Sequence, residues 1–105
     1  MTYDIKLTDQ AKRDLRGIYE YIASILMEPQ IARNLVRRII EGLKSLDDMP
    51  SRYPIYQEEP WKSRGLHRIN IENYSGFYLV AENTVQVIRV MYGGRDISSI
   101  LNESD

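Results

Sequence analysis

The last third of the chain carries three runs rich in β-branched and aromatic residues, Leu66 to Glu72, Phe77 to Glu82 and Val85 to Tyr92. Only four and two residues join them, Asn73 to Gly76 and Asn83-Thr84, both with turn chemistry. A parallel return needs a dozen residues or more, so connections this short force neighbouring runs to pair antiparallel. A three-stranded meander is therefore expected, and it limits what the rest of the chain can do: cover that sheet or extend it.

The segments ahead of the meander have the matching patterns. Tyr3, Ile5 and Leu7 alternate with Asp4 and Lys6, a period of two that predicts a short half-buried strand. Thr8 suits a helix N-cap, with Asp9 in the first turn where the helix dipole favours an anion. Ala11, Leu15, Ile18, Tyr19, Ile22 and Leu26 then recur at three- and four-residue steps, while Lys12, Arg13, Arg16 and Glu20 fill the other face. Pro29 fits the first position of a second helix. Ile31, Leu35, Ile39, Leu43 and Leu46 run down its buried face to a stop at Asp47-Asp48-Met49-Pro50. The break at Met27-Glu28 is so short that the two helices form an antiparallel hairpin. Ser51 to Arg64, with Pro54, Pro60, Glu58 and Glu59, shows no sustained period and reads as a long loop. After Gly93-Gly94, Asp96 is placed to cap a short helical turn around Ile97, Ile100 and Leu101.

The expected architecture is a single α+β domain over residues 1–105, in the order β-α-α-β-β-β. The helix hairpin packs on one face of a small twisted antiparallel sheet, and the first strand joins that sheet beside a strand distant in sequence. No internal repeat or low-complexity tract interrupts it.

Composition narrows the chemistry. The chain has 105 residues, no cysteine and one histidine, His67. These exclude a disulfide framework, a thiol nucleophile, a thiolate zinc site and any metal site needing two imidazoles. No phosphate-cradling glycine loop and no Ser-His-Asp spacing exists, and no cofactor is expected. No apolar run approaches the roughly 18 to 20 residues that span a bilayer. The N-terminus lacks a basic stretch followed by an apolar one, so the expected compartment is the cytoplasm.

The formal charge is −1, from 14 basic and 15 acidic side chains, which argues against a nucleic-acid binder that is basic throughout. The charge is nevertheless segregated. Residues 1–50 balance eight basic against eight acidic side chains, whereas Trp61 to Arg95 holds Lys62, Arg64, Arg68, Arg89 and Arg95 against Glu72 and Glu82 alone. A sheet bearing these arginines with Tyr74, Tyr78 and Tyr92 offers guanidinium forks for phosphates and rings for stacking. A solvated face held by ordinary salt bridges is the competing reading. As a lone histidine, His67 is a candidate general base, the role imidazoles most often take. Its alternation with Ile69 and Ile71, however, places it on the packed face as a hydrogen-bonded structural histidine. Arg95-Asp96, released by two glycines as the last strand ends, is either a presented cation or a local exposed clamp.

The segment Val87-Ile88-Arg89-Val90-Met91-Tyr92-Gly93-Gly94-Arg95-Asp96-Ile97 resembles the closing strand of the RelE/ParE superfamily of toxins from bacterial type II toxin–antitoxin modules. Members often end in an apolar strand followed by His-Gly-x-Arg-Asp and an apolar residue, and Tyr92 stands where that histidine is common. The order of elements agrees along nearly the whole chain. The resemblance implies a toxin neutralised by a cognate antitoxin, whose disordered tail folds onto the helix hairpin and sheet edge.

The superfamily holds two activities. RelE-like members cleave messenger RNA in the ribosomal A site with arginines, lysines and a tyrosine or histidine, and ParE-like members poison DNA gyrase. Residue by residue, Arg95 matches the RelE-like arginine after the last strand and Arg68 lies near a lysine position. The middle-strand arginine appears as Tyr78, a later tyrosine as Leu101, and Asn70 sits near the second lysine. Cleavage by 2′-hydroxyl attack needs a base, an acid and a cation for the phosphorane. On the nuclease alternative Arg95, Arg68, His67 and Tyr92 would be catalytic. The departures lean towards the ParE-like reading, in which Arg68, Tyr78, Arg89 and Arg95 contact the target. A third reading is a toxin-fold binding protein whose catalysis has decayed. Expected partners are the antitoxin and either gyrase or the ribosome with its message, as a homodimer or a toxin–antitoxin hetero-oligomer, with no membrane.

Overall fold

The computed structural model describes residues 2–94 and 96–103. Strand β1 (Asp4–Leu7) leads into helix α1 (Asp9–Glu20), which continues as a wider π-type turn over Tyr21–Ile25, and then into α2 (Pro29–Lys44). A short helix α3 (Trp61–Arg64) precedes β2 (His67–Ile71), β3 (Tyr74–Val80) and β4 (Thr84–Tyr92), and α4 (Ile97–Glu103) follows. The sheet order is β1-β4-β3-β2.

The meander is antiparallel as expected, but β1 pairs parallel with β4, in register Asp4↔Thr84 to Leu7↔Val87. The sheet is therefore mixed, a correction to the wholly antiparallel expectation. Helices α1 and α2 lie between β1 and the meander in sequence, and a connection of that length permits the parallel return that the tight turns forbid. Thr8 joins the two ends of the chain. Its hydroxyl accepts the Ala11 N–H at 3.1 Å, capping α1, and donates to the Ile88 carbonyl at 3.0 Å, while its N–H donates to the Val87 carbonyl.

The hairpin buries Leu15, Ile22, Ala32, Leu35, Ile39 and Leu43 against Ile69, Tyr78, Val85, Val87 and Val90 of the sheet. Each fully buried Leu or Ile contributes roughly 1.5–3 kcal/mol. Val87 and Val90 both reach this core, although a three-residue step should place them on opposite faces. A bulge resolves this: Phe77 pairs with Arg89 and Tyr78 with Val87, so Ile88 is an extra residue that resets the alternation.

The opposite face of the sheet is not simply solvated. Trp61, Leu66, Phe77, Met91, Ile97 and Leu101 form a second small core there. The segment read as a loop holds α3 and a single bridge between Ile55 and His67. Trp61 anchors it, buried and donating its indole N–H to Asn102. β3 begins at Tyr74 rather than Phe77, because Glu72 takes a left-handed φ of 56° and the reversal needs only two residues. Asp96 caps α4 as expected, accepting from Ser99 N–H and hydroxyl.

Candidate functional site

Three of the residues singled out in the sequence, Tyr78, Arg89 and His67, are tied into the scaffold. Tyr78 is fully buried in the hairpin-side core, and its hydroxyl donates to the Pro50 carbonyl at 2.6 Å. Burial pushes its pKa up to about 12. Tyr78 is therefore a core residue, a correction to its expected place on a target surface. The middle of a three-stranded meander with helices on one side has no room for an exposed ring on that side.

Arg89 is likewise withdrawn. Its Nε donates to Asp14 at 2.8 Å and its Nη2 at 3.0 Å, a two-pronged pair with side chains only 12% and 10% exposed. Nη1 reaches the Ile100 carbonyl. The pair exists because β1 ends at Leu7 while β4 continues, which leaves an unpaired strand edge. Asp14 covers that edge by accepting the Val90 N–H at 2.9 Å, and Arg89 neutralises the buried carboxylate. Arg89 joins α1, β4 and α4 instead of reaching outward.

His67 is half-buried, with Nδ1 2.7 Å from the Tyr53 carbonyl and its ring stacked on Tyr78 at 5.2 Å. A carbonyl only accepts, so Nδ1 carries the proton. Alternation along β2 sets His67 and Ile69 on the hairpin side and Arg68 and Asn70 on the other, so the sheet separates the imidazole from Arg68.

Arg68 and Tyr92 do come together. They line an open hollow of about 340 Å³ with Asn70, Glu72, Asn73, Tyr74, Ser75, Gly93 and Gly94, at the end of the sheet where β2 turns into β3 and β4 finishes. Arg68 Nε donates to Ser75 Oγ at 3.0 Å and Asn70 Oδ1 at 3.1 Å, and Ser75 itself donates to Asn70. The guanidinium lies over the Phe77 ring at 5.6 Å. Among the described residues no carboxylate pairs with Arg68; the nearby Glu72 is held by Arg38 at 2.6 Å. This polar triangle fixes the arginine by its Nε and leaves its charge uncompensated, a geometry suited to an anionic partner. Tyr92, half-exposed, packs edge-on against Tyr74 at 5.7 Å. Burial, with Tyr92 and Tyr21 close by, raises the Tyr74 pKa. Arg95 lies outside the described residues.

Sequence reasoning missed Ser75 and Asp14, one holding Arg68 and the other holding Arg89. Ser75 carries no signal of its own inside a strand pattern. Asp14 does carry one, since it interrupts the hydrophobic flank of α1 between Ala11 and Ile18. Among the described residues no cluster of His, Cys, Asp and Glu is arranged to hold a metal ion, and no helix is long and apolar enough to cross a membrane.

Residues 5–97 match the family described as ParE toxin of type II toxin–antitoxin system, parDE. Among curated protein sequences none matches the chain. The fold is shared with a chain from the chromosomal ParDE toxin–antitoxin system of P. aeruginosa, at 24% identity over 87% of this chain and 96% of that one, with a TM-score of 0.72. A chain of the toxin–antitoxin complex RelBE2 from Mycobacterium tuberculosis follows the same fold at 21% identity, covering 88% and 92% of the two chains with a TM-score of 0.63. A mutant of the E. coli toxin RelE in the free state does so at 15% identity over 99% and 95%, with a TM-score of 0.64. Since the family match runs through both helices of the hairpin and all four strands, this chain belongs to the ParE toxins of type II toxin–antitoxin systems.

Proposed function

We propose that this toxin arrests growth by binding an essential macromolecule, with DNA gyrase as the target, and that a cognate antitoxin neutralises it. The observation that carries the binding-based reading is the separation of His67 from Arg68 by the sheet. A nuclease centre needs a proton carrier beside its phosphate clamp, and the imidazole is on the wrong face to serve one at Arg68. The tyrosines near Arg68 are poor bases at neutral pH, and burial raises Tyr74 further. The hollow has what recognition needs: an uncompensated guanidinium, the half-exposed Tyr92 ring and an open mouth. In this reading Arg68 and Arg95 contact the target, while Tyr78 and Arg89 maintain the scaffold.

An antitoxin would find a large apolar surface at the tip of the helix hairpin. Tyr21, Ile25, Leu26, Met27 and Ile31 are all more than half exposed, with Met27 at 78%. Exposed apolar side chains gathered at one end of a hairpin, rather than scattered singly, mark an interaction surface.

The test is inducible expression with and without the adjacent reading frame, scoring growth, DNA breaks and RNA ends together. Growth arrest with trapped double-strand breaks and intact messages, relieved by the adjacent frame, is the expected result. Arg68→Ala should lower toxicity at least tenfold while its thermal midpoint stays within a few degrees of the parent's. Position-specific cuts in translated messages would replace the gyrase reading with ribosome-dependent cleavage, in which Arg68 and Tyr92 share the work. Normal growth on full expression would leave only a toxin-fold binding protein.

A further inference from the structure

The polar triangle that holds Arg68 has a direction built into it. Guanidinium Nε only donates, so the Asn70 side-chain atom 3.1 Å from it is the carbonyl oxygen, and Ser75 Oγ at 3.0 Å accepts as well. The Ser75 hydroxyl proton then goes to the same Asn70 oxygen, at 2.8 Å. Ser75 is 1% exposed, so this is a buried lock rather than a passing surface contact. With its oxygen turned inward, Asn70 turns its amide N–H groups outward, into the hollow it lines, and no described residue accepts from them. Arg68 is engaged only at Nε, which leaves its two terminal nitrogens to the same space, Nη2 lying 3.8 Å from where a Gly93 side chain would begin.

We infer that the hollow binds the phosphate of a nucleotide unit, with Asn70 as the residue that selects phosphate over carboxylate; this rests on the binding-based reading of the hollow and names the group it grips. A guanidinium fork takes two oxygens of either anion. A carboxylate then has no further oxygen for Asn70, whereas a phosphate presents a third to the outward amide. The Glu72 carboxylate lines the hollow but is engaged by Arg38 at 2.6 Å. Tyr92 supplies the next contact, its ring half-exposed at the rim. Gly94 allows the ring to lie there, because a Cβ on Gly94 would sit 2.7 Å from it. A base joined to the held phosphate can stack on that ring, and about 340 Å³ is the scale of one small ligand. His67 is across the sheet, so the phosphate is held with no imidazole beside it to promote cleavage of its ester.

The test follows the side-chain amide of Asn70 and the Nε–H of Arg68 by NMR in the full chain. Inorganic phosphate, acetate, a mononucleotide and a short single-stranded DNA are titrated in turn at constant ionic strength. Phosphate should shift both signals, and acetate should bind at least tenfold more weakly. The mononucleotide should bind about tenfold more tightly than inorganic phosphate. Tighter binding still by the strand assigns the nucleotide to DNA, and equal binding assigns it to a free nucleotide. Asn70→Asp keeps an acceptor for Arg68 Nε but replaces the outward amide with a negative charge, and should abolish phosphate binding. Gly94→Ala displaces the Tyr92 ring and should reduce the mononucleotide's advantage over inorganic phosphate. If either variant misfolds, the comparison of phosphate with acetate on the unmodified chain carries the test alone. Acetate binding as tightly as phosphate, or an Asn70 amide that does not respond to phosphate, overturns the assignment while leaving the toxin reading intact. Phosphate binding by a chain whose expression does not arrest growth leaves the site standing and overturns the target reading instead.

Discussion

Replacing Asp14 by alanine should be the most damaging single change on the surface of α1. The carboxylate accepts from Arg89 Nε, Arg89 Nη2 and the Val90 N–H at 2.8, 3.0 and 2.9 Å. Its removal takes the Asp14 carboxylate from a guanidinium about nine-tenths buried, and leaves a strand-edge donor without its acceptor. Breaking one side of a buried pair costs about 3–5 kcal/mol, against a total stability of about 5–15 kcal/mol for a domain of this size. Urea unfolding is the direct assay. With a slope near 1.5 kcal/mol per molar, the midpoint should fall by about 2–3 M. Asp14→Leu combined with Arg89→Met removes the orphaned charge and should recover more than half of the loss, leaving mainly the Val90 N–H unsatisfied. Moderate salt should change the parent's stability little, because a pair this buried is weakly screened, unlike the exposed Arg37–Glu41 pair at 3.8 Å. A loss below about 1 kcal/mol for Asp14→Ala, or a double variant worse than the single, would refute the view that this pair closes the edge of β4.

Two further expectations concern the scaffold. Tyr78 has its pKa raised to about 12, so the folded state holds its proton more tightly than the unfolded chain does. The corresponding stability is complete below the unfolded value near 10 and is lost as pH rises towards 12, on the order of 2 kcal/mol. Tyr78→Phe should cost about 1 kcal/mol at neutral pH and flatten that alkaline loss in a pH series of urea melts. Met27 ends the first helix with a left-handed φ of 55° and a side chain mostly in solvent, so Met27→Gly should raise stability by about 0.5–1 kcal/mol. A calorimetric midpoint that falls instead would mean that Met27 makes contacts in the folded state.

The architecture was legible because it follows from local rules. Two- and four-residue gaps dictate an antiparallel meander, and Thr8, Pro29 and Pro50 punctuate the helices where such residues belong. Legibility ended where one extra residue changes sides. Strict alternation puts Arg89 on the same hairpin-side face as Val87, and no pattern announces that Ile88 is a bulge that moves it to the other face. Tyr78 misled for a related reason. A tyrosine in a strand is equally compatible with a stacking surface and with a core whose carbonyl neighbour, here Pro50, is 28 residues away. Arg68 was found because it could be matched by position, but the Asn70–Ser75 triangle that holds it is a product of cross-strand register, which exists only once β2 and β3 are paired.

That register also bears on the overall acidity. A formal charge of −1 argues against a cationic binding surface only if positive and negative groups mix evenly. Here the fold sorts them. Arg89 is neutralised inside the molecule by Asp14, and Arg38 pairs with Glu72, which engages the one carboxylate that β2 and its turn would otherwise offer Arg68. Arg13 and Arg68 lie on either side of the Tyr74–Tyr92 pair without such partners among the described residues. Long-range steering by the whole molecule is therefore weak, while short-range attraction at this end of the sheet is strong. A surface of that kind favours a partner that has already arrived and carries complementary anions at the right spacing, so its selectivity rests on local geometry rather than on net charge.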